Sequence, residues 1–188
     1  MTGYEVIALY SLVIGIPIVI IFVAVIGITK KGKLSKIEII KIILEGALLQ
    51  YMITLLAVTL WPTAGFRRAS VINLVPFVEL FDAIMGNKLL NPAYVIRVWC
   101  YNVLMFVPFG ILGVIYLQML KKKQEKVLFF GICLILIIEG LQYFFINGRA
   151  ADINDVITNM LGVFIGYLIG RLLLNKALQD IIEKLEKT

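Results

Sequence analysis

The stretch EGLQYFFINGRAADINDVITNMLGVFIG, residues 139–166, sets a Glu and a Gln inside one run too apolar for water and an Asn at the head of the next. An Arg and two Asp lie in the hinge between the runs. Such runs read as two helices in a membrane, since a helix satisfies its own backbone hydrogen bonds in hydrocarbon.

Composition extends that reading to the whole chain. Of its 188 residues 61% are apolar and 16% charged, with a mean hydropathy of +0.99, whereas a soluble domain is nearer half apolar. A helix rising about 1.5 Å per residue needs roughly 20 apolar residues to cross about 30 Å of hydrocarbon. Five stretches are long enough: 4–29, 42–61, 98–120, 127–146 and 156–174. The first lacks the basic head of a cleavable signal peptide and its apolar run is too long for one, so it is expected to remain as a membrane helix. The predicted fold is all-α: one polytopic membrane domain over residues 1–188 with five transmembrane helices.

Alternate connections differ in charge. The segment KKGKLSK with Lys41, the segment KKKQEK, and the C-terminal Arg171, Lys176, Lys184 and Lys187 hold thirteen of the 18 basic residues, leaving Arg67, Arg68, Lys88, Arg97 and Arg149 for the other side. The positive-inside rule therefore places the N-terminus outside and the C-terminus in the cytoplasm. The net charge of +6 needs no nucleic-acid partner, because anionic inner-leaflet lipids would hold the basic runs. The one long connection, 62–97, lies outside. Within it, PFVELFDAIMG places Phe77, Leu80, Phe81 and Ile84 on one helical face and Glu79 and Asp82 elsewhere, predicting a short helix in the outer interface.

Scarcity narrows the chemistry. The chain has no His, which removes Ser-His-Asp and Cys-His nucleophile systems, His-ligated zinc and any histidine base. Cys100 and Cys133 fall at depths differing by roughly 18 Å, too far apart for a disulfide. Carboxylates, Arg, Lys, Tyr and hydroxyls remain.

Depth gathers the costly groups into one half of the membrane. Glu139 lies roughly 12 Å below the hinge with Gln142 one turn shallower, Asn102 about 6 Å into the third span and Asn159 about 5 Å into the fifth. Asp152, Asp155, Asn159, Gly162, Gly166 and Gly170 form one stripe, in which polar groups give way to a glycine ridge that admits a neighbouring backbone. Gly131, Ile135, Glu139 and Gln142 form a stripe on the fourth span. The economical arrangement packs the fourth and fifth spans together along the ridge. They then open outward around Glu139, Gln142, Arg149, Asp152, Asp155 and Asn159. Pro108 removes a donor from the third span and should kink it, leaving the Leu104 carbonyl in search of a partner.

Plainer roles stand beside these. Asp152 or Asp155 can cap the fifth span and complement its dipole, and Arg149 can pair with one of them at the surface. Glu45 can pair with Lys41 one turn away. Glu139 has the least room for such a role, since an ionisable group in hydrocarbon costs about 3 kcal/mol unless it faces a polar interior.

The blocks INLVPF, NVLMFVPFG and EGLQYFFINGRAADINDVITNMLG resemble the VanZ-like family of bacterial membrane proteins, linked with resistance to teicoplanin and related glycopeptides. The likeness covers residues 67–170. Its motif positions fall on Arg68, Asn73, Pro76 and Phe77 in the first block, and on Asn102, Phe106, Pro108 and Gly110 in the second. In the third they fall on Glu139, Gln142, Arg149, Asp152, Asp155, Asn159 and Gly162. The resemblance implies a protein of the bacterial cell membrane conferring low-level glycopeptide resistance. It assigns no biochemical activity.

Three functions follow. The first is a non-enzymatic module acting at the outer leaflet on glycopeptides or lipid-linked wall precursors, with Arg68, Asn73, Asn102, Gln142, Arg149 and Asn159 meeting a headgroup. Pro76, Pro108, Gly110, Gly162, Gly166 and Gly170 shape the scaffold. The second is a membrane hydrolase or transferase on a lipid headgroup or diphosphate, with Glu139, Asp152 and Asp155 as candidate catalytic acids and Arg149 or Arg68 holding phosphate. No cofactor is expected, and the D-x-x-D pair Asp152 and Asp155 sharing Mg²⁺ with a diphosphate is the one metal role on offer. The third is a transporter through Glu139, disfavoured because the inner halves of the spans look dry. Membrane lipids are the expected partners in all three.

Overall fold

The computed structural model describes residues 3–29, 34–60, 72–86, 91–146 and 151–174. Arg67, Arg68, Lys88 and Arg149 lie outside the described residues. Five of the described helices are long and apolar enough to cross a membrane: α1 (Gly3–Thr29), α2 (Lys36–Leu60), α4 (Pro92–Met119), α5 (Lys126–Phe145) and α6 (Ile153–Leu173). The short helix α3 (Val78–Ile84) lies between α2 and α4 in the chain, where the spacing of Phe77, Leu80, Phe81 and Ile84 predicts it.

Two spans begin six residues earlier than their apolar runs. At α2, Ser35 and Glu38 form a capping box: the Ser35 amide donates to Glu38 Oε2 at 3.0 Å and the Glu38 amide to Ser35 Oγ at 3.3 Å. Each satisfies a backbone donor that the first turn leaves open. At α4, Asn91 Oδ1 accepts from the Ala93 amide at 2.9 Å and Pro92 occupies the first helical position, where its missing amide costs nothing.

The bundle is built around α4 and α6. These share the largest interface, α5 lies against α6, and α2 joins α1 to the rest by packing on both α1 and α4. Phe106 and Val114 of α4, Ile135 of α5 and Val163 of α6 are fully buried at the centre. The glycine ridge packs on α4, the third span. It does not pack on the fourth, as its position beside the α5 stripe suggests. A Cβ on Gly162 would strike the Val103 carbonyl and one on Gly166 the Val107 carbonyl, while one on Gly170 would come to 2.9 Å from Val114 Cβ. Gly110 answers from α4, against the backbone of Val163, Gly166 and Tyr167. Such close approach is how membrane helices gain packing energy when hydrocarbon offers no hydrophobic drive. On α5, Gly131 meets the Val163 side chain, a looser fit than backbone on backbone.

Pro108 sits inside α4 without ending it. Tyr51 of α2 donates its hydroxyl to the Met105 carbonyl at 2.9 Å, one residue along from the Leu104 carbonyl that Pro108 deprives of its helical donor. A neighbouring helix thus supplies a hydrogen bond where the proline disturbs the ladder. Ser11 and Gln50 do similar work between α1 and α2: Ser11 Oγ donates to Thr54 Oγ1 at 3.2 Å and Gln50 Nε2 to the Ser11 carbonyl at 3.3 Å. Glu45 pairs with Lys41 at 3.9 Å as its spacing suggests, and also accepts from the Tyr116 hydroxyl at 3.2 Å. Both cysteines are free.

Candidate functional site

Polar side chains gather at the end of the bundle where α5 gives way to α6, called here the hinge end. A feature too short to announce itself in the sequence organises them. Ile72–Asn73 (β1) and Ala151–Asp152 (β2) pair in parallel, with Ile72 opposite Ala151 and Asn73 opposite Asp152. The pair ties the segment before α3 to the start of α6.

Asp152 is the N-cap of α6. Its Oδ1 accepts from the Asn154 amide at 2.8 Å and from Asn154 Nδ2 at 2.9 Å, and its Oδ2 accepts from Asn73 Nδ2 at 3.1 Å. Asn73 in turn accepts from the Val75 amide at 3.2 Å, turning the chain toward α3. Asn154, only 1% exposed, accepts from the Phe77 amide at 2.8 Å. Phe77 adopts φ 62°, the left-handed region, which costs an ordinary residue about 1 to 2 kcal/mol. The bond to Asn154 holds that conformation. Pro76, a motif position, precedes it.

Below this cap the stripe continues against α4. Asn102 Nδ2 donates to Asp155 Oδ1 at 2.7 Å and to Thr158 Oγ1 at 3.3 Å, and Thr158 donates back to the Asn154 carbonyl at 2.8 Å. Asn159, one turn below Asp155, is 3% exposed, and its Oδ1 has no hydrogen bond among the described residues. Beneath it the glycines begin.

The α5 stripe is buried as its spacing predicts: Gly131, Ile135, Glu139 and Gln142 all face inward. Gln142 Nε2 donates to the Thr59 carbonyl at 2.8 Å, closing one of the carbonyls that the last turn of α2 leaves open. Glu139 is 6% exposed. It lies six residues before the end of α5, as Asn159 lies six residues past the start of α6. At about 1.5 Å per residue both sit roughly 9 Å from the hinge.

The structure therefore links Asn73, Asp152, Asp155 and Asn102 around the head of α6 through Asn154 and Thr158, with Asn159 one turn below Asp155, and sets Glu139 and Gln142 on the buried face of α5. Asn154, Thr158 and Thr59 are absent from the residues picked out by sequence. The signal for the first two is their step of four on the face beside Asp155 and Asn159. Thr59 contributes its backbone, to which sequence gives no clue. Chemically the cluster is a set of carboxylates and amides, in which Asp152 has both oxygens engaged and Asp155 and Glu139 are the deeper acids. Among the described residues no group of three Asp, Glu or Cys side chains converges.

Neither a curated protein nor a solved structure matches the chain. A family model described as VanZ/LLP1 matches residues 48–174, from the middle of α2 to the end of α6. That span takes in α4, the glycine ridge and every residue of the hinge-end cluster, as the resemblance of the three sequence blocks implies. The chain belongs to the VanZ/LLP1 family.

Proposed function

We propose that the protein acts at the outer leaflet of a bacterial cell membrane on lipid-linked cell-wall components, and so confers low-level resistance to teicoplanin-type glycopeptides. The observation that carries the reading is the hinge-end cluster. Carboxylates and amides from α4, β1 and α6 meet at the first turns of α6, at one end of the spans, and the VanZ-like sequence blocks are linked with glycopeptide resistance. Groups so costly in hydrocarbon are expected to serve recognition or chemistry. The charge bias of the connections supports an outward-facing hinge end.

In this reading the residues divide their work. Asp152, Asn73 and Asn154 hold the frame. Asp155 and Asn102 meet the ligand first, Asn159 and Glu139 lie deeper, and Arg149 and Arg68 pair with an anionic headgroup. Metal sharing between Asp152 and Asp155 is the weaker use of that pair, because both Asp152 oxygens already accept hydrogen bonds.

The alternative is a hydrolase or transferase acting on the same headgroup. Two acids, Asp155 and Glu139, placed inside spanning helices favour it. Arg149→Ala, Asp155→Asn and Asn102→Ala should each abolish the resistance phenotype while the protein stays abundant in the membrane. Full phenotype in all three would move the function away from the cluster. Headgroup release from a lipid-linked precursor by purified protein, lost in Glu139→Gln, would replace the binding reading with the enzymatic one.

A further inference from the structure

Much of the face of α3 that sequence marks as apolar is turned away from the protein, with Leu80 half-buried. Phe81 is 60% exposed, Ile84 65% and Met85 70%, and Phe77 at the N-cap is half exposed. The helix lies against α4 with Ala83 turned in and buried. At about 100° per residue, Phe81, Ile84 and Met85 fall within one sector that Phe77 at the N-cap leads into, while Glu79 lies on the far side and Asp82 on the flank between. Both acids are exposed. The helix thus presents three different sides, to protein, to water and to something apolar.

What covers the apolar side is indicated by its level in the bundle. Through the parallel pairing of β1 with β2 and the bond from the Phe77 amide to Asn154 Oδ1, α3 is fastened at the height where α6 begins. Phe77 also packs edge-on against Trp99, with ring centroids 5.6 Å apart, and Trp is a residue of the boundary between headgroups and acyl chains. Leu74 and Val75, just before the helix, are exposed too. A short helix at that height, apolar on one side and acidic on the other, fits an orientation in the plane of the interface.

We propose that α3 is a lipid anchor: Phe77, Phe81, Ile84 and Met85 lie among the acyl chains of the leaflet at the hinge end, and Asn154 is the tether that sets their depth. The occupant is lipid and not a second copy of the chain, because the apolar sector runs on from exposed Leu74 and Val75 at the level where α6 begins, beside Trp99, where headgroups meet acyl chains. Asn154 suits the tether role because its one side chain reaches both ways. Its Oδ1 receives the Phe77 amide and its Nδ2 goes to Asp152. Movement of α3 is thereby linked to the cap of α6. This rests on the placement of α3 alone and holds whatever ligand the cluster takes.

The test uses the full chain, with Cys100 and Cys133 replaced by Ser, in phosphatidylcholine vesicles with or without bromine on the acyl chains. A bimane label on Phe81→Cys should lose most of its emission to brominated lipid and little to aqueous iodide. The same label on Asp82→Cys should show the reverse. Quenching of the Phe81 label by iodide as strongly as the Asp82 label would overturn the anchor, and so would a Phe81 label reached by neither quencher, which would mean that protein covers it. Adding Asn154→Ala to the Phe81 label should reduce its quenching by brominated lipid in protein that still elutes as a single species. Unchanged quenching there would overturn the tether.

Discussion

Asp152 uses both carboxylate oxygens, one on Asn154 in the first turn of its own helix and one on Asn73 of β1, whereas Asp155 one turn later accepts from Asn102 of α4. That contrast predicts different consequences for the same change. Asp152→Asn keeps a good N-cap but sets an amide donor against Asn73 Nδ2. It should therefore lower stability by about 1 to 2 kcal/mol, seen as a lower melting temperature of the purified protein. Asp155→Asn keeps an oxygen for Asn102 and should melt close to wild type while losing the phenotype. If Asp152→Asn melts normally and Asp155→Asn does not, the framing and ligand-facing roles are exchanged. Glu139 is buried at 6% exposure, so Glu139→Ala should cost about 3 to 5 kcal/mol if it removes one partner of a buried charge pair. Glu139→Gln keeps the shape of the protonated acid and should cost less. Equal losses in calorimetry would mean that the charge itself is what the fold uses.

At the scale of elements, the helices are legible in the sequence because hydrocarbon thickness sets their length, and α3 because its apolar spacing is helical. Their starts are less so: the capping box at Ser35 and the Asn91–Pro92 entry lie in polar sequence beyond the apolar runs. The pairing of β1 with β2 is illegible, since two residues on each side carry no alternation to read and their partners lie 79 residues apart, as Asn73 and Asp152 do. The ridge of Gly162, Gly166 and Gly170 is legible as a face, but a face does not name its neighbour. Gly110 in the third span is the mark of the true partner, for glycines on both sides permit the backbone contact seen. Gly166→Ala should therefore fail even with a single methyl, costing about 1 to 3 kcal/mol, because a Cβ there meets the Val107 carbonyl. Gly140 on α5 has nothing within 4 Å of such a Cβ, so Gly140→Ala should be neutral or gain up to about 1 kcal/mol of helix propensity. Melting temperatures of the two variants, measured side by side, check the assignment. Equal tolerance at Gly166 would mean that α4 and α6 are not in backbone contact.

Across the whole molecule the two ends of the bundle are chemically unlike, and that asymmetry gives the protein a direction. At the hinge end the described residues form a network of Asn, Asp and Thr. At the other end Lys41 pairs with Glu45, Lys121 to Lys123 follow α4, and Arg171 donates to the Tyr167 hydroxyl at 3.0 Å while its guanidinium lies over that ring. Lysines close to a membrane surface each gain about 1 kcal/mol from anionic inner-leaflet lipid, so the basic end is expected in the cytoplasm and the cluster outside. Five spans are then expected to put the two termini on opposite sides. With Cys100 and Cys133 replaced by Ser, a membrane-impermeant thiol reagent applied to intact cells should label Lys88→Cys and spare Lys122→Cys. After the cells are opened, both should react. Labelling of Lys122→Cys in intact cells would turn the bundle over and present the cluster to the cytoplasm. An extracellular glycopeptide could not reach it there, and the proposed function would fail together with the orientation.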